Sequence, residues 1–419
     1  MKHRVLEFGK TILIILLVGS LLLLAMMAIP MEAVRNNQRL SRLLQPIAPL
    51  LGLPEAELTY VAAVLPVRDA AQPTAISVRS SAGRYTAMWD FLALDTTYET
   101  FGGFLGQALD TADTFTRATQ AQIQSALSGR SIYFRYGCPL PPDLLASWLG
   151  AQLEADVPST ADYILALEQD SVTLYLVDEI SYSAPTQLDP AALEPLLEQY
   201  RPDDSQFAFE ANSSLSALSL LPGGTAAVPA VVVSDPCTSR YIEQLATDLG
   251  FNPYGESRYT DEQGTVHFSE TNCALQIVPG GQILLTSSDE TRFAASGPDE
   301  DALVETARDL VETASANIPG NGRIYLSGLT REDGRTVCTF DSLVSGIPVA
   351  LSSGHAATVT FSGQTVVQLT FRAYAFHTTN TELYPLPVDR TAALLPAGSA
   401  LMLQYRITAN QTLEAGWIN

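Results

Sequence analysis

One stretch of the chain stands apart in its pattern of apolar and polar positions. Thr11 to Pro30 reads TILIILLVGSLLLLAMMAIP, with no charged residue inside. At about 1.5 Å of rise per residue, a helix of this length spans roughly 30 Å, the thickness of a bilayer's hydrocarbon core. The pattern predicts a transmembrane anchor over residues 11–30, with Ile12, Ile14, Leu16 and Leu23 among its apolar residues. Gly19 and Ser20 are small enough to let a second helix approach closely. The competing reading is a cleaved signal peptide. Such a leader has a shorter apolar core, about 7–15 residues, and a small-residue cleavage site. Ala25-Met26-Met27-Ala28 is a poor site of that kind, and no Cys follows the run to carry a lipid. Beyond it, Met31 to Gln45 continues with helical spacing: Leu40, Leu43, Leu44 and Ile47 form one stripe, Arg35, Arg39 and Arg42 another. This segment is either a stalk or a helix lying on lipid with its arginines at the headgroups.

From Thr74 the periodicity becomes mixed. Thr74–Arg79 and Arg84–Trp89 predict a hairpin, Thr97–Leu109 and Ala118–Leu127 helices, and Ser131–Tyr136 a strand. Pro141-Pro142-Asp143 opens a short helix, and Asp189-Pro190 caps another. A second unit starts near Ser205, with a helix over Thr238–Leu249 ended by Gly250 and four short strands between Ser257 and Thr286. A third opens at Gly297 with a helix over Asp299–Ala314, whose acids suit a helix start, followed by hairpin strands. Helices and hairpins alternate without a β-α-β rhythm, so the expected class is α+β: antiparallel sheets packed with helices. The expected divisions are a tail (1–10), the anchor (11–30), a juxtamembrane linker (31–73) and three α+β subdomains at 74–204, 205–296 and 297–419.

Charge narrows the setting. The formal net charge is -22. Setting aside Lys2, Arg4, Lys10 and Glu7 leaves residues 31–419 with 20 arginines and 44 acids. So acidic a body repels phosphate backbones, and nucleic acid is excluded as an expected partner. The basic residues next to the span tie, but both lysines precede it, and the expected orientation is N-terminus cytoplasmic, body extracytoplasmic. The four cysteines are Cys138, Cys237, Cys273 and Cys338. Cys237 and Cys273 are the candidate disulfide, with buried unpaired thiols as the alternative.

Catalytic patterns are sparse. The histidines are isolated, there is no H-E-x-x-H, and no Cys pair has zinc spacing. No G-x-S-x-G occurs, and a body without lysine cannot build a Ser-Lys dyad. Cys338 with His267 is the arithmetic option for a surface Cys-His enzyme, although Cys338 on an alternating strand also suits a core. Gly102, Gly103 and Gly106 lie in a helical pattern and suit close helix packing rather than a phosphate loop.

The most distinctive segment is Ser131 to Gly150, SIYFRYGCPLPPDLLASWLG. Its aromatic strand (Tyr133, Phe134), Pro139-Leu140 turn and closing Trp148-Leu149-Gly150 resemble the YycH/YycI family as it occurs in clostridia-like Firmicutes. Leu249-Gly-Phe-Asn-Pro253, Asp261 to Phe268, Tyr325-Leu-Ser-Gly328, Ser345-Gly-Ile-Pro348 and Gly416-Trp417 resemble later parts of that family in the same order. The resemblance implies a membrane-anchored, non-enzymatic accessory regulator of the WalK sensor histidine kinase of a two-component system controlling cell-wall metabolism. It implies no catalytic residue, metal or cofactor. The implied partners are the kinase, membrane lipid and a second accessory protein of the same family. The four cysteines and the lysine-free body depart from the family pattern. The alternatives are a module that binds a cell-wall polymer through exposed aromatics such as Trp148, and the Cys-His enzyme.

Overall fold

The computed structural model describes residues 63–64, 70–153, 161–224, 227–332, 334–408 and 411–418. The expected tail, anchor and stalk, including Ile12, Ile14, Leu16, Gly19, Ser20 and Leu23, lie outside the described residues. Among the described residues no helix is long and apolar enough to cross a membrane.

Two large sheets, one two-stranded sheet and seven helices make the described fold α+β. β1 (Ala63–Val64) belongs to the larger sheet. The smaller sheet has seven strands: β2 (Ala75–Arg79), β3 (Arg84–Ala87), β4 (Thr116–Arg117), β5 (Ser131–Arg135), β6 (Asp162–Leu167), β7 (Val172–Val177) and β8 (Tyr182–Pro185). Their order is β3-β2-β5-β6-β7-β8-β4, antiparallel throughout. Its central strands read as nearly unbroken apolar runs because both faces are covered. Ile132, Phe134 and Leu165 face α1 (Phe91–Asp110) and α3 (Pro142–Leu149). Tyr133, Ile164 and Ala166 face Ile123 and Leu127 of α2 (Gln120–Ser128). Period-two alternation disappears when neither face meets water.

Helix ends follow local chemistry. Asp90 caps α1 by accepting from Leu92 N, which starts the helix six residues before the Thr97 expected from the sequence. Phe91 and Leu94 extend the buried stripe through that added turn. Thr119 and Gln122 form a reciprocal capping box on α2. Asp189 caps α4 (Pro190–Leu197), and Thr238 caps α5 (Ser239–Asp248).

After the short pair β9 (Gln206–Phe207) and β10 (Leu220–Leu221) comes the larger, 14-stranded sheet. It contains β1 together with β11 (Val228–Ser234), β12 (Arg258–Thr260), β13 (Val266–Ser269), β14 (Cys273–Val278), β15 (Gln282–Ser287) and β16 (Gly322–Glu332). It continues with β17 (Arg335–Val344), β18 (Ile347–Ala350), β19 (Ala357–Ser362), β20 (Thr365–Arg372), β21 (Ala375–Leu383), β22 (Met402–Ile407) and β23 (Thr412–Ile418). The main path is β12-β13-β14-β15-β20-β19-β17-β18-β22-β23-β11-β21, with β16 on β17 and β1 on β16. The pairs β1·β16 and β18·β22 are parallel. α5 and α6 (Glu300–Ser315) cover one face over Leu275, Leu285, Val359 and Leu369. α7 (Val388–Ala392) sits near the C-terminal strands, with Val388 packed beside Leu401.

The subdomain boundary expected at residues 296–297 does not separate two sheets. β15 pairs with β20, and β11 pairs with β21 and β23, so the expected second and third units share one sheet. The boundary at 204–205 is likewise bridged, because one hydrophobic cluster runs from Ala71 to Ala375. Residues Ala62–Asn419 form a single compact unit. The apolar pattern of Val366–Phe376 reads as one strand, but this stretch divides between β20 and β21, and β23 is a strand the sequence pattern did not indicate.

Candidate functional site at the joint between the sheets

The segment from Ser131 to Gly150 supplies a strand, a loop and a helix to the place where the two sheets meet. On β5, Phe134 is fully buried toward α1, while Tyr133 turns to the other face and meets the Phe207 ring edge-on at 5.5 Å. The Tyr133 hydroxyl donates to Asp162 Oδ2 at 2.8 Å, and Tyr136 N donates to Asp162 Oδ1 at 2.8 Å. Pro139 is exposed. Leu140 is buried and exchanges backbone hydrogen bonds with Ala161, while its carbonyl also accepts from the Tyr163 hydroxyl at 2.9 Å.

The loop abuts the larger sheet closely. A Cβ on Gly137 would lie 1.9 Å from the Tyr325 ring on β16, so only glycine permits this approach with the ring in place. Next to it, Cys138 Sγ donates to Leu326 O at 3.5 Å. On α3, Trp148 is 6% exposed and its Nε1 donates to Glu305 of α6 at 2.6 Å. Glu305 also holds both of its oxygens against Arg308 Nη1, at 2.9 and 2.8 Å. Leu149 packs on α1 at Gly106, where a Cβ would stand 3.2 Å from Leu149 Cβ. Gly150 closes α3 in the left-handed region, at φ 70°. The family-like residues are thus brought together, and their contacts are with the protein itself.

Replacing Trp148 with Phe removes one hydrogen bond to a charged acceptor that keeps a second partner. The expected loss is about 1–2 kcal/mol in urea unfolding. Adding Glu305→Gln to Trp148→Phe is expected to cost less than Glu305→Gln alone, because the shared bond is already gone.

A second cluster lies beside the first. Arg323 of β16 forks onto Asp95 of α1, with Nη1–Oδ1 at 2.7 Å and Nη2–Oδ2 at 2.8 Å. Gln72 Nε2 donates to Asp95 Oδ1 at 2.7 Å, and Arg323 Nη1 reaches Gln72 Oε1 at 3.4 Å. The guanidinium lies over the Phe91 ring, 4.1 Å from its centre. The Tyr136 hydroxyl donates to Ala71 O at 2.8 Å.

Burial pushes the Asp162 carboxyl up to about 6, against the opposing pull of the Tyr136 N–H, the Tyr133 hydroxyl and nearby Arg135. Sequence reasoning passed over Asp162, Asp95 and Arg323. The available signal was a lone charge opening an apolar strand, in Asp162-Tyr-Ile-Leu and Arg323-Ile-Tyr-Leu.

The candidate disulfide is not formed, and all four cysteines are free thiols. Cys273 faces the core on β14, with its Sγ 3.3 Å from Ser287 Oγ, so closeness in sequence to Cys237 did not translate into pairing. Burial pushes the Cys138, Cys237 and Cys338 thiols up to about 12. Cys338 is fully buried on β17, and the path from β17 to His267 on β13 crosses β19, β20, β15 and β14. At about 4.8 Å per step that is roughly 24 Å, too far for a dyad. No group of three or more His, Cys, Asp or Glu among the described residues is arranged to hold a metal.

A cleft of about 530 Å³ opens between the β16–β17 and β19–β20 hairpin tips and the start of α6. Its lining includes Leu303, Arg331, Glu332, Arg335 and Gln364. Arg331 is held by Glu300 at 3.4 Å, so charges of both signs meet there. Comparison with protein-family models, with curated proteins and with solved structures finds no match.

Proposed function

We propose that this protein is a membrane-anchored, non-enzymatic regulator. Its body modulates a membrane sensor histidine kinase of a two-component system that controls cell-wall metabolism. The observation that carries the reading is the uncharged run from Thr11 to Pro30 ahead of a long acidic body whose segments resemble the YycH/YycI family in order. In this reading residues 11–30 span the bilayer, the N-terminus is cytoplasmic and the body is extracytoplasmic. Gly19 and Ser20 let the span pack against a helix of the kinase, where side-chain contacts rather than water exclusion drive association. The second accessory protein of the same family is a further partner in this reading, as is membrane lipid. A regulator of this kind acts by binding one state of the kinase better than the other.

The residues named for the two alternatives, Trp148 and Cys338, are both buried. Trp148 is buried against α6 rather than offered to a polymer. Cys338 is a buried thiol far from His267. The test is photo-crosslinking in intact cells from positions in 11–30 and in β2–β8, followed by identification of the captured protein. Repeated recovery of a histidine kinase supports the reading. Capture of peptidoglycan alone, or of no protein from any position, overturns it.

A further inference from the structure

We propose that the two pieces of chain leading into the body, Ala63–Val64 and Ala70–Gln72, act as a strap whose seating sets how tightly the joint between the sheets closes. Each piece contacts one or both sides of the joint through specific groups. β1 adds to β16 in parallel, Ala63 opposite Arg323 and Val64 opposite Ile324, and α6 packs on it. Ala71 is fully buried, and its carbonyl is the acceptor for the Tyr136 hydroxyl from the loop of the smaller sheet. Gln72 sits between the two halves of the Asp95–Arg323 pair, donating to the carboxylate of α1 and accepting from the guanidinium of β16.

Unseating the strap therefore acts at two points together. It withdraws the acceptor of the Tyr136 hydroxyl, and a buried hydroxyl left without a partner costs about 1–3 kcal/mol, so Tyr136 must shift. Tyr136 is tied through its N–H to Asp162 and adjoins Gly137, whose backbone lies against Tyr325. It also removes the neutral third member of the Asp95–Arg323 cluster. The seated strap holds the loop onto β16, and the unseated strap frees it. The coupling itself does not depend on the identity of any partner.

Amide hydrogen exchange on the full chain in detergent micelles tests the strap without a kinase. Val64→Pro places a proline in β1, where it disfavours pairing with β16, and Gln72→Ala removes the link to Asp95 and Arg323. Both variants are expected to speed exchange at Tyr136, Cys138 and Leu140 and at Arg323 to Leu326 by about tenfold or more. Exchange in β14 and β15 is expected to stay within about twofold of the parent. Joint amides that remain equally protected in both variants overturn the proposal. Equal acceleration in β14 and β15 also overturns it, since that marks general loosening. Either failure leaves the crosslinking result on the kinase unaffected.

Discussion

Asp95→Ala is expected to lower the stability of the body by about 3 kcal/mol, read as a reduced urea midpoint for the full chain in detergent. The substitution deletes a partially exposed carboxylate but leaves the Arg323 guanidinium, whose side chain is 8% exposed, against Phe91 and Gln72. Most of the loss is the cost of keeping a charge out of water once the carboxylate it forks onto is gone. The water that reaches Asp95 holds the figure at the low end for a broken buried pair. A double variant, Asp95→Ala with Arg323→Met, is expected to regain more than half of it, because the apolar chain refills the space and no charge remains buried. A single variant within 0.5 kcal/mol of the parent would show that the pair contributes little.

Asp162→Asn is expected to stabilise the protein at pH 7.5 and to flatten its response to pH. The folded-state carboxyl titrates near 6, above its ordinary value of 3.8. The folded state therefore binds the proton more tightly than the unfolded state does. Stability contributed by this group is greatest below about pH 4, falls as pH rises toward 6 and is flat above that. The shift corresponds to a penalty of about 3 kcal/mol at neutral pH relative to the protonated state. Asparagine keeps an oxygen for Tyr136 N and offers an amide to the Tyr133 oxygen, while removing the charge. Urea unfolding between pH 4 and 8 should show the parent losing stability over this range relative to Asp162→Asn. Parallel curves for the two proteins would mean that Asp162 does not titrate there.

The joint was legible from the sequence on one side. Tyr133, Phe134, Leu140, Trp148 and Gly150 belong to one continuous segment, and its strand, Pro-rich loop and helix follow from the short aromatic and apolar run, Pro142 and the closing glycine. The partners were not legible. Asp162, Ala71, Tyr325 and Glu305 lie 26 to 188 residues away from the groups they meet or along the strands beside them, and no local pattern states such a separation. The same limit explains the subdomain boundaries. Pro and Gly punctuation marks where elements stop, but strand pairing depends on which apolar faces meet after the chain has doubled back. Nothing near Val228 announces that it will pair with Leu383.

By itself the sequence determined the uncharged run at the start, the acidic lysine-free body, the alternation of helices with hairpins, and the Asp189 cap. These depend on neighbours within a few residues or on totals, and both are properties of the chain before it folds. Only the tertiary structure decided that the cysteines stay unpaired, that β11 to β23 share one sheet, and that the distinctive segment is spent on holding two sheets together. Those outcomes depend on which distant surfaces exclude water together, and that is settled by packing in three dimensions.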